Sequence, residues 1–209
     1  MSIEKYDDLD SMQLDALREI GNIGSGNAAT ALSATIGMPV NIEVPNIKIL
    51  DINDAVEALG GAEEIVAGIL IKVEDGINGA MLSLQSLEVV NIMLNSLMGV
   101  KIEGFDQMDE MCISAVAEIG NIVMGSYINA IADMTGMAIN MSVPGVSVNM
   151  VGGLVTVPMA TYCYEADKIM MIECNFKFEG GEEYNNNLLL IPDVESLRRV
   201  LSRLGVYNE

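Results

Sequence analysis

Residues 15–26 read DALREIGNIGSG and residues 114–125 read SAVAEIGNIVMG, so the string EIGNI recurs 99 positions further along the chain. Pro45 and Pro144 are separated by the same interval. The positions between 15 and 45 that carry an identical residue 99 positions later are Ala16, Glu19, Ile20, Gly21, Asn22, Ile23, Gly26, Ala31, Gly37, Met38, Asn41, Val44 and Pro45. A register kept over this length indicates an internal duplication.

A duplicated chain of 209 residues most naturally shares a single core between its halves. We therefore expect one domain spanning residues 1–209, built from two repeats at about 10–105 and 106–209 and related by a pseudo-twofold axis. The hydrophobic fraction is 51%, with 16 Met, three Phe and no Trp, which predicts an aliphatic, Met-rich core. Packing explains most of these Met residues, and some of them could line an adaptable partner surface.

The chain is strongly acidic, with a formal net charge of −20. Such a charge repels phosphate backbones and anionic lipid heads, so nucleic acid and membrane insertion are disfavoured. It serves solubility, and it could also favour basic protein surfaces. Residues 134–164 contain no charged side chain, but Asn, Ser, Gly and Pro residues interrupt this segment. A buried strand and an apolar docking surface explain it better than a membrane span does.

Histidine is absent, which removes the commonest general base and the commonest metal ligand. Cys112, Cys163 and Cys174 are far apart, without metal-type spacing, and we expect them to be reduced and buried. No basic segment followed by an apolar stretch opens the sequence, which favours a cytoplasmic protein. We expect no metal or cofactor to be bound by this chain.

Apolar periodicity predicts two long helices, at 13–36 with Asp10 or Ser11 as N-cap and at about 107–135, which end before Gly37 and Gly136. Both helices contain internal glycines. Because glycine weakens a helix, these residues suggest a close approach, either by the sheet of the same fold or by a partner protein.

The remaining pattern predicts further strands and helices in each half. Predicted strands lie at 40–44, 65–73, 78–84, 154–164, 169–178 and 187–191, with a hairpin turn at 74–76, and predicted helices lie at 86–98 and 193–204. This order predicts an α/β (α+β) class fold, in which a mostly antiparallel sheet carries the two long helices on one face.

A helix brings positions 15, 19 and 22 onto one face about one turn apart. Asp15, Glu19 and Asn22 would form one polar triplet there. The second triplet, on the second long helix, would be Ser114, Glu118 and Asn121. The Asn carboxamide can orient a water molecule, which suits phosphoryl transfer, where positioning rather than covalent chemistry limits the reaction. The Glu could bind a cation on a partner.

No phosphate-binding loop or carboxylate metal cluster is evident, so the phosphate and any Mg²⁺ would arrive on another protein. A purely structural role for one Glu–Asn pair would be the simpler explanation, but duplication at fixed spacing favours function. Pro45 and Pro144 are expected to frame the sites.

These residues closely resemble the CheC-type phosphatases of bacterial chemotaxis. Their signature is Asp or Ser, three residues, Glu, two residues, Asn, twenty-two residues and Pro, and both copies here match it. The resemblance implies hydrolysis of the aspartyl phosphate on the response regulator CheY. Asn22 and Asn121 would orient the attacking water, Glu19 and Glu118 would bind a Lys of CheY, and Asp15 and Ser114 would support them. CheY would supply the Mg²⁺.

The resemblance also implies binding to the receptor deamidase CheD, through a surface at Gly145, Val148, Asn149 and Val151. Relatives carry an acidic residue in this segment, and Asn149 departs from that pattern. CheX-type relatives have one signature and dimerise, whereas an internal duplication favours a monomer. Two alternatives stay open: a non-catalytic adaptor for phosphorylated CheY or CheD, and the N-terminal phosphatase part of a FliY flagellar-switch protein. A small-molecule or metal enzyme is a weaker third possibility.

Overall fold

Eight β-strands and six α-helices form the fold across residues 3–43, 46–162, 168–179 and 183–207, which the computed structural model describes. The helices are α1 (Ser11–Ile36), α2 (Ile52–Ala58), α3 (Leu87–Met98), α4 (Glu110–Thr135), α5 (Val151–Tyr162) and α6 (Val194–Arg203). The strands are β1 (Val40–Ile42), β2 (Asn46–Asp51), β3 (Ile65–Asp75), β4 (Gly79–Gln85), β5 (Ile139–Met141), β6 (Gly145–Met150), β7 (Lys168–Phe178) and β8 (Glu183–Pro192).

The two long helices begin and end at chemically equivalent residues. Asp10 caps α1 by accepting a hydrogen bond from the Gln13 backbone N–H, and Asp109 caps α4 in the same way through Cys112. Gly37 and Gly136 end the helices in the left-handed conformation, with φ of 70° and 67°. Both predicted helices are confirmed. The second begins at Glu110 rather than near 107, because residues 105–107 form a separate 3₁₀ turn.

All recorded strand pairings are antiparallel, and the strand order is β1-β7-β8-β4-β3-β5. Strand β2 pairs with β7, and β6 pairs with β3. The first two strands of each half therefore hydrogen-bond to a strand of the other half. This exchange builds the mostly antiparallel α/β fold that the sequence predicted, and it interlocks the two repeats in one curled sheet.

Alternating side chains of the sheet enter two hydrophobic cores, one on each face. Ile69, Ile71 and Ile172 point to the core beneath α1 and α4. Leu82 and Met171 point to the opposite core, which α2 and α5 cover. The two long helices therefore lie on one face of the sheet, as predicted.

The predicted strand at 154–164 is wrong, because α5 occupies this stretch as far as it is described. Val151, Val155 and Met159 are buried at helical spacing against the sheet. A short apolar run does not distinguish a buried strand from a buried helix, and this explains the error. Strands β2, β5 and β6 and helix α2 were also not predicted, whereas α3 and α6 match the predicted helices at 86–98 and 193–204.

Helix α4 is also long and apolar enough to cross a membrane by length and composition alone. Half of its most apolar window is buried inside the fold. Its apolar surface is therefore accounted for in large part by contact with the sheet and α1.

Candidate active site

One exposed face of α1 carries the first polar triplet. Asp15 and Glu19 are exposed, and Asn22 is half-buried beside them. The Oδ1 atom of Asn22 is itself buried and has no hydrogen-bond partner among the described residues. An unsatisfied buried polar atom in a folded protein is unusual and is typical of a functional group or of a water site.

Helix α4 repeats this arrangement. Ser114 and Glu118 are exposed and Asn121 is half-buried. The Ser114 hydroxyl donates to the backbone oxygen of Glu110 at 2.8 Å, so it is held against its own helix. No ion pair to Glu19 or Glu118 occurs within the described parts of the chain, so both carboxylates are available to a cation outside it.

The opposite face of each helix fixes the orientation of the triplets. Leu17, Ile20 and Gly24 are buried on α1, and Ile119 and Gly120 are buried on α4. These residues lie on the far side of each helix from the Glu, at spacings of one, two or five residues from it, which the helical period places away from its face. Burial of the apolar stripe therefore turns both Glu–Asn pairs toward solvent.

Close packing explains two of the internal glycines. A Cβ atom at Gly24 would lie 2.6 Å from Cδ1 of Tyr127 on α4, and one at Gly120 would lie 2.6 Å from Cγ2 of Ile69 on β3. Gly26, in contrast, is exposed, and a Cβ atom there would meet no heavy atom of the described residues within 4 Å. Contacts inside the fold account for Gly24 and Gly120, while Gly26 leaves open space one turn after Asn22.

A buried polar chain joins the two long helices to the sheet beneath the sites. The Tyr127 hydroxyl lies 2.7 Å from Oγ of Ser25 and 3.0 Å from Sγ of Cys174. Burial raises the pKa of Tyr127 and raises the pKa of Cys174 to about 11, so both groups stay neutral at physiological pH. This neutral chain holds α1, α4 and β7 in one arrangement.

The two sites differ in charge beside the Glu. Asp15 forms an ion pair with Arg18 at the i, i+3 spacing, whereas the position equivalent to Arg18 on α4 is Ala117. The first site therefore holds a guanidinium next to its triplet, and the second does not. A difference of this kind favours unequal affinity for a charged partner.

Two exposed methionines extend the sites and were missed in the sequence analysis. Met12 and Met111 are 63% and 67% exposed and lie one turn before Asp15 and Ser114 on the same helical face. They are again 99 positions apart, so continuing the repeat comparison upstream of residue 15 would have found them. Exposed Met residues are common at adaptable protein-binding surfaces.

The candidate partner surface lies mainly on β6, which pairs on one side with β3. Gly145, Val148 and Asn149 are exposed there. Val151 is fully buried in the core beneath α5, so its side chain does not belong to this surface, which corrects the prediction. Strand β6 ends at Met150 and α5 begins at Val151, so the Val151 side chain belongs to the helix that packs on the sheet.

The other predicted residues have separate positions. Pro144 is half-buried directly before β6, while Pro45 and Cys163 lie outside the described residues. Cys112 and Cys174 are free and buried, as expected. Among the residues that the structure describes, no group of three or more His, Cys, Asp or Glu side chains is placed to hold a metal ion.

The paired helix faces agree with the relatives of this sequence. A model of the CheC-like family matches residues 12–49 and 111–148, which are the two copies of the repeated segment. The CheY-P phosphatase CheC of Bacillus subtilis (strain 168) is 30% identical over 197 residues, covering 92% of this chain and 94% of that protein. This chain belongs to the CheC-like family.

Two FliY proteins are also similar. The flagellar motor switch phosphatase FliY of Bacillus subtilis (strain 168) is 26% identical over 206 residues, and the match covers 97% of this chain but 52% of that protein. The crystal structure of Thermotoga maritima FliY superimposes with a TM-score of 0.75 at 22% identity, covering 95% of this chain and 98% of that chain. This structural likeness supports the CheC-like fold.

Proposed function

We propose that this protein is a phosphatase that hydrolyses the aspartyl phosphate of a CheY-type response regulator at two helical sites. The observation that carries the proposal is the presentation of the same Glu–Asn pair on the exposed faces of α1 and α4. Membership of the CheC-like family and the similarity to a CheY-P phosphatase support it.

In the proposed reaction the regulator contributes the phosphate and its Mg²⁺. The carboxamide of Asn22 or Asn121 hydrogen-bonds a water molecule and aligns it with the bond between phosphorus and the aspartyl oxygen. The water oxygen forms the new bond to phosphorus, the aspartyl oxygen leaves, and aspartate and inorganic phosphate are released. Oδ1 of Asn22 has no hydrogen-bond partner among the described residues, but it is buried, so the carboxamide must turn outward before this oxygen can accept a hydrogen bond from the water.

Glu19 and Glu118 would position the regulator through an ion pair with a Lys. Both carboxylates are exposed and lie one turn before the Asn on the same face. Met12 and Met111 would add apolar contact at the edge of the same interface. Asp15 and Ser114 would act only in support, since Asp15 is held by Arg18 and Ser114 by its own helix.

The test is the decay rate of the phosphorylated regulator with Mg²⁺, using wild type, Asn22→Ala, Asn121→Ala and the double variant. We expect the double variant to accelerate the decay roughly 10- to 100-fold less than wild type does, because water orientation is the main contribution of the chain. Each single variant should retain the activity of the other site. Asn27→Ala and Asn129→Ala are matched controls, since both Asn are exposed on the same helices but do not recur in the repeat.

Binding must be measured separately from turnover, with a regulator carrying a stable phosphate mimic. The phosphatase proposal predicts that the double Asn variant still binds this regulator. Unchanged hydrolysis by the double variant would refute the proposal. Tight binding without acceleration by the wild type would instead favour the adaptor, which is the alternative function.

A second proposed partner is CheD, which would dock on the exposed, uncharged strand β6. Gly145 and Asn149 line a cavity of about 460 Å³ between β6 and α5, and Val148 is exposed on the same strand outside that lining. Val148→Glu should abolish binding, since an unpaired charge would enter an apolar contact. Val100→Glu is the control at an exposed Val elsewhere, and equal binding by both variants would contradict this surface.

The proposed setting is the cytoplasm, where a chemotaxis regulator would be met, and the proposed state is a monomer. Strands β1 and β2 pair with β7 of the second half, and β5 and β6 pair with β3 of the first half. These pairings between the halves are made within one chain, which also carries both sites, and this supports the monomer. Sedimentation equilibrium tests this state. The alternative that the chain is the phosphatase part of a FliY protein rests on the match to about half of the Bacillus subtilis FliY.

A further inference from the structure

Basic side chains are scarce in this protein, yet three of its four arginines lie together. The chain has 10 Lys and Arg against 30 Asp and Glu, and its arginines are Arg18, Arg198, Arg199 and Arg203. The last three lie on α6 or at its end, and they line one open cavity of about 550 Å³. Its remaining lining residues are Gly76, Gly136, Met137, Ala138, Glu195 and Ser202.

The arginines of this cavity form no ion pair with the residues that the structure describes. In the described part of the chain, no carboxylate lies within 4.0 Å of a guanidinium nitrogen of Arg198, Arg199 or Arg203. Five of the other basic residues form ion pairs: Arg18, Lys48, Lys72, Lys168 and Lys177. Lys5 and Lys101 also form no ion pair with the described residues, so the three arginines are distinguished by lining the same cavity.

Structural contacts use only part of the hydrogen-bonding capacity of these side chains. Arg198 donates through Nε to the backbone oxygen of Ile3, and Arg199 donates through Nη2 to the Ser196 hydroxyl at 3.1 Å. The Nε atom of Arg199 is buried and has no partner within the described residues. These contacts fix the two side chains at the wall of the cavity and leave other guanidinium N–H groups without a described acceptor.

We propose that this cavity binds a small anion through a phosphate group. Arg guanidinium matches the geometry of a phosphate with two parallel N–H donors, and among the described lining residues three guanidinium groups outweigh the one carboxylate, that of Glu195. The net charge of −20 does not prevent this, because charges beyond about 8–10 Å are screened at physiological salt. The cavity lies in the volume range of small-molecule sites, and Met137 and Ala138 add apolar surface to it.

The cavity is separate from the Glu–Asn pair on α4. Gly136 follows the last residue of α4, and Asn121 lies 15 positions earlier on the same helix. At 1.5 Å per residue, this places the two about 22 Å apart along the helix axis. The cavity is therefore a different place on the molecule from this pair, and the inference does not rest on the proposed phosphatase chemistry.

The test is calorimetric titration at low ionic strength with pyrophosphate, AMP and succinate as probes. We expect saturable binding of a phosphate probe and much weaker binding of succinate. Comparison of pyrophosphate with AMP distinguishes an inorganic from an organic phosphate, according to which one binds more tightly. Arg203→Gln should weaken binding about tenfold or more, since it removes one charged donor group.

Three further variants sharpen the result. Glu195→Gln should tighten binding severalfold by removing the carboxylate that Glu195 contributes to the described lining of the cavity. Lys101→Gln removes an exposed positive charge outside the cavity and should leave the affinity unchanged. Arg199→Lys keeps the charge but loses the planar fork, so it should also weaken binding.

Three results would overturn the proposal. They are the absence of saturable phosphate binding by the wild type, succinate binding as tight as that of the phosphate probes, and equal losses in Arg203→Gln and Lys101→Gln. Arg203 is exposed, and circular dichroism would verify that its variant remains folded.

Discussion

The packing of α1 against α4 can be tested with two glycines that lie two residues apart. Replacing either Gly24 or Gly26 with Ala removes a helix-interior glycine, which by itself stabilises a helix by about 1 kcal/mol. At Gly26 a Cβ atom meets nothing within 4 Å, so we expect the full gain in the free energy of unfolding.

At Gly24 the new Cβ atom would lie 2.6 Å from Cδ1, 2.9 Å from Cγ and 3.1 Å from Cα of Tyr127. Because the Cα atom belongs to the backbone of α4, rotation of the Tyr127 ring cannot relieve the whole clash. Overpacking of this kind costs about 1–3 kcal/mol. After the helix-propensity gain is subtracted, Gly24→Ala should be destabilised by about 0–2 kcal/mol relative to wild type.

The assay is urea denaturation of wild type, Gly24→Ala and Gly26→Ala, monitored by circular dichroism. The two variants should differ by about 1–3 kcal/mol in the free energy of unfolding, with Gly26→Ala the more stable. For a chain of this length, each 1 kcal/mol corresponds to about 2–4 °C in Tm. If Gly24→Ala were as stable as Gly26→Ala, the close contact between Gly24 and Tyr127 would be refuted.

Three other predictions concern the interface, a helix cap and a buried thiol. The double change Met12→Ser and Met111→Ser should raise the KM for the phosphorylated regulator about tenfold or more without loss of stability, because both side chains are exposed and would be buried only in the complex. Asp10→Ala should lower the free energy of unfolding by about 1 kcal/mol, because it removes the N-cap of α1; denaturant titration measures this. Burial raises the pKa of Cys174 from 9.0 to about 11, so between pH 9 and pH 11 the thiol is protonated in the folded state and loses its proton on unfolding. The free energy of unfolding should therefore fall by about 2 kcal/mol from pH 8 to pH 10.5 through this group.

Each of these predictions has a matched control. Val100→Ser changes an exposed apolar residue outside α1 and α4 and should leave KM unchanged. Ser11→Ala changes an exposed first-turn residue that is not the cap, and a loss equal to that of Asp10→Ala would contradict the capping argument. Cys174→Ala should lose less stability than wild type at alkaline pH, and equal pH dependence of the two proteins would exclude the thiol as the cause.

The elements with strong local signals were predictable from the sequence. The Asp caps and Gly ends of α1 and α4 lie next to long apolar periodic runs, so local chemistry alone fixes both helices. The same helical period placed Glu19 with Asn22 and Glu118 with Asn121 on exposed faces. The structure shows both Glu exposed and both Asn half-buried, while their catalytic role stays a prediction.

The weaker signals failed where the environment, rather than the residue pattern, decides the structure. Residues 151–162 form a helix because Val151 and Val155 pack on the sheet, although the apolar run also fits a strand. The same contact buried Val151, which the sequence had assigned to a partner surface. The short strands β2 and β6 form because β7 and β3 offer unpaired edges, and their sequences alone do not reveal those edges.

The sequence by itself therefore determined the duplication, the two long helices and the face on which each Glu–Asn pair lies. These features depend on residues within a few helical turns, and the 99-residue interval makes them visible twice. Only the tertiary structure decided which strands are exchanged between the halves and which glycines are in close contact. It alone brought Arg198, Arg199 and Arg203 together with the end of α4 in one cavity. These features join segments that can be more than 100 residues apart in the sequence. Their contacts exist only after the sheet has formed.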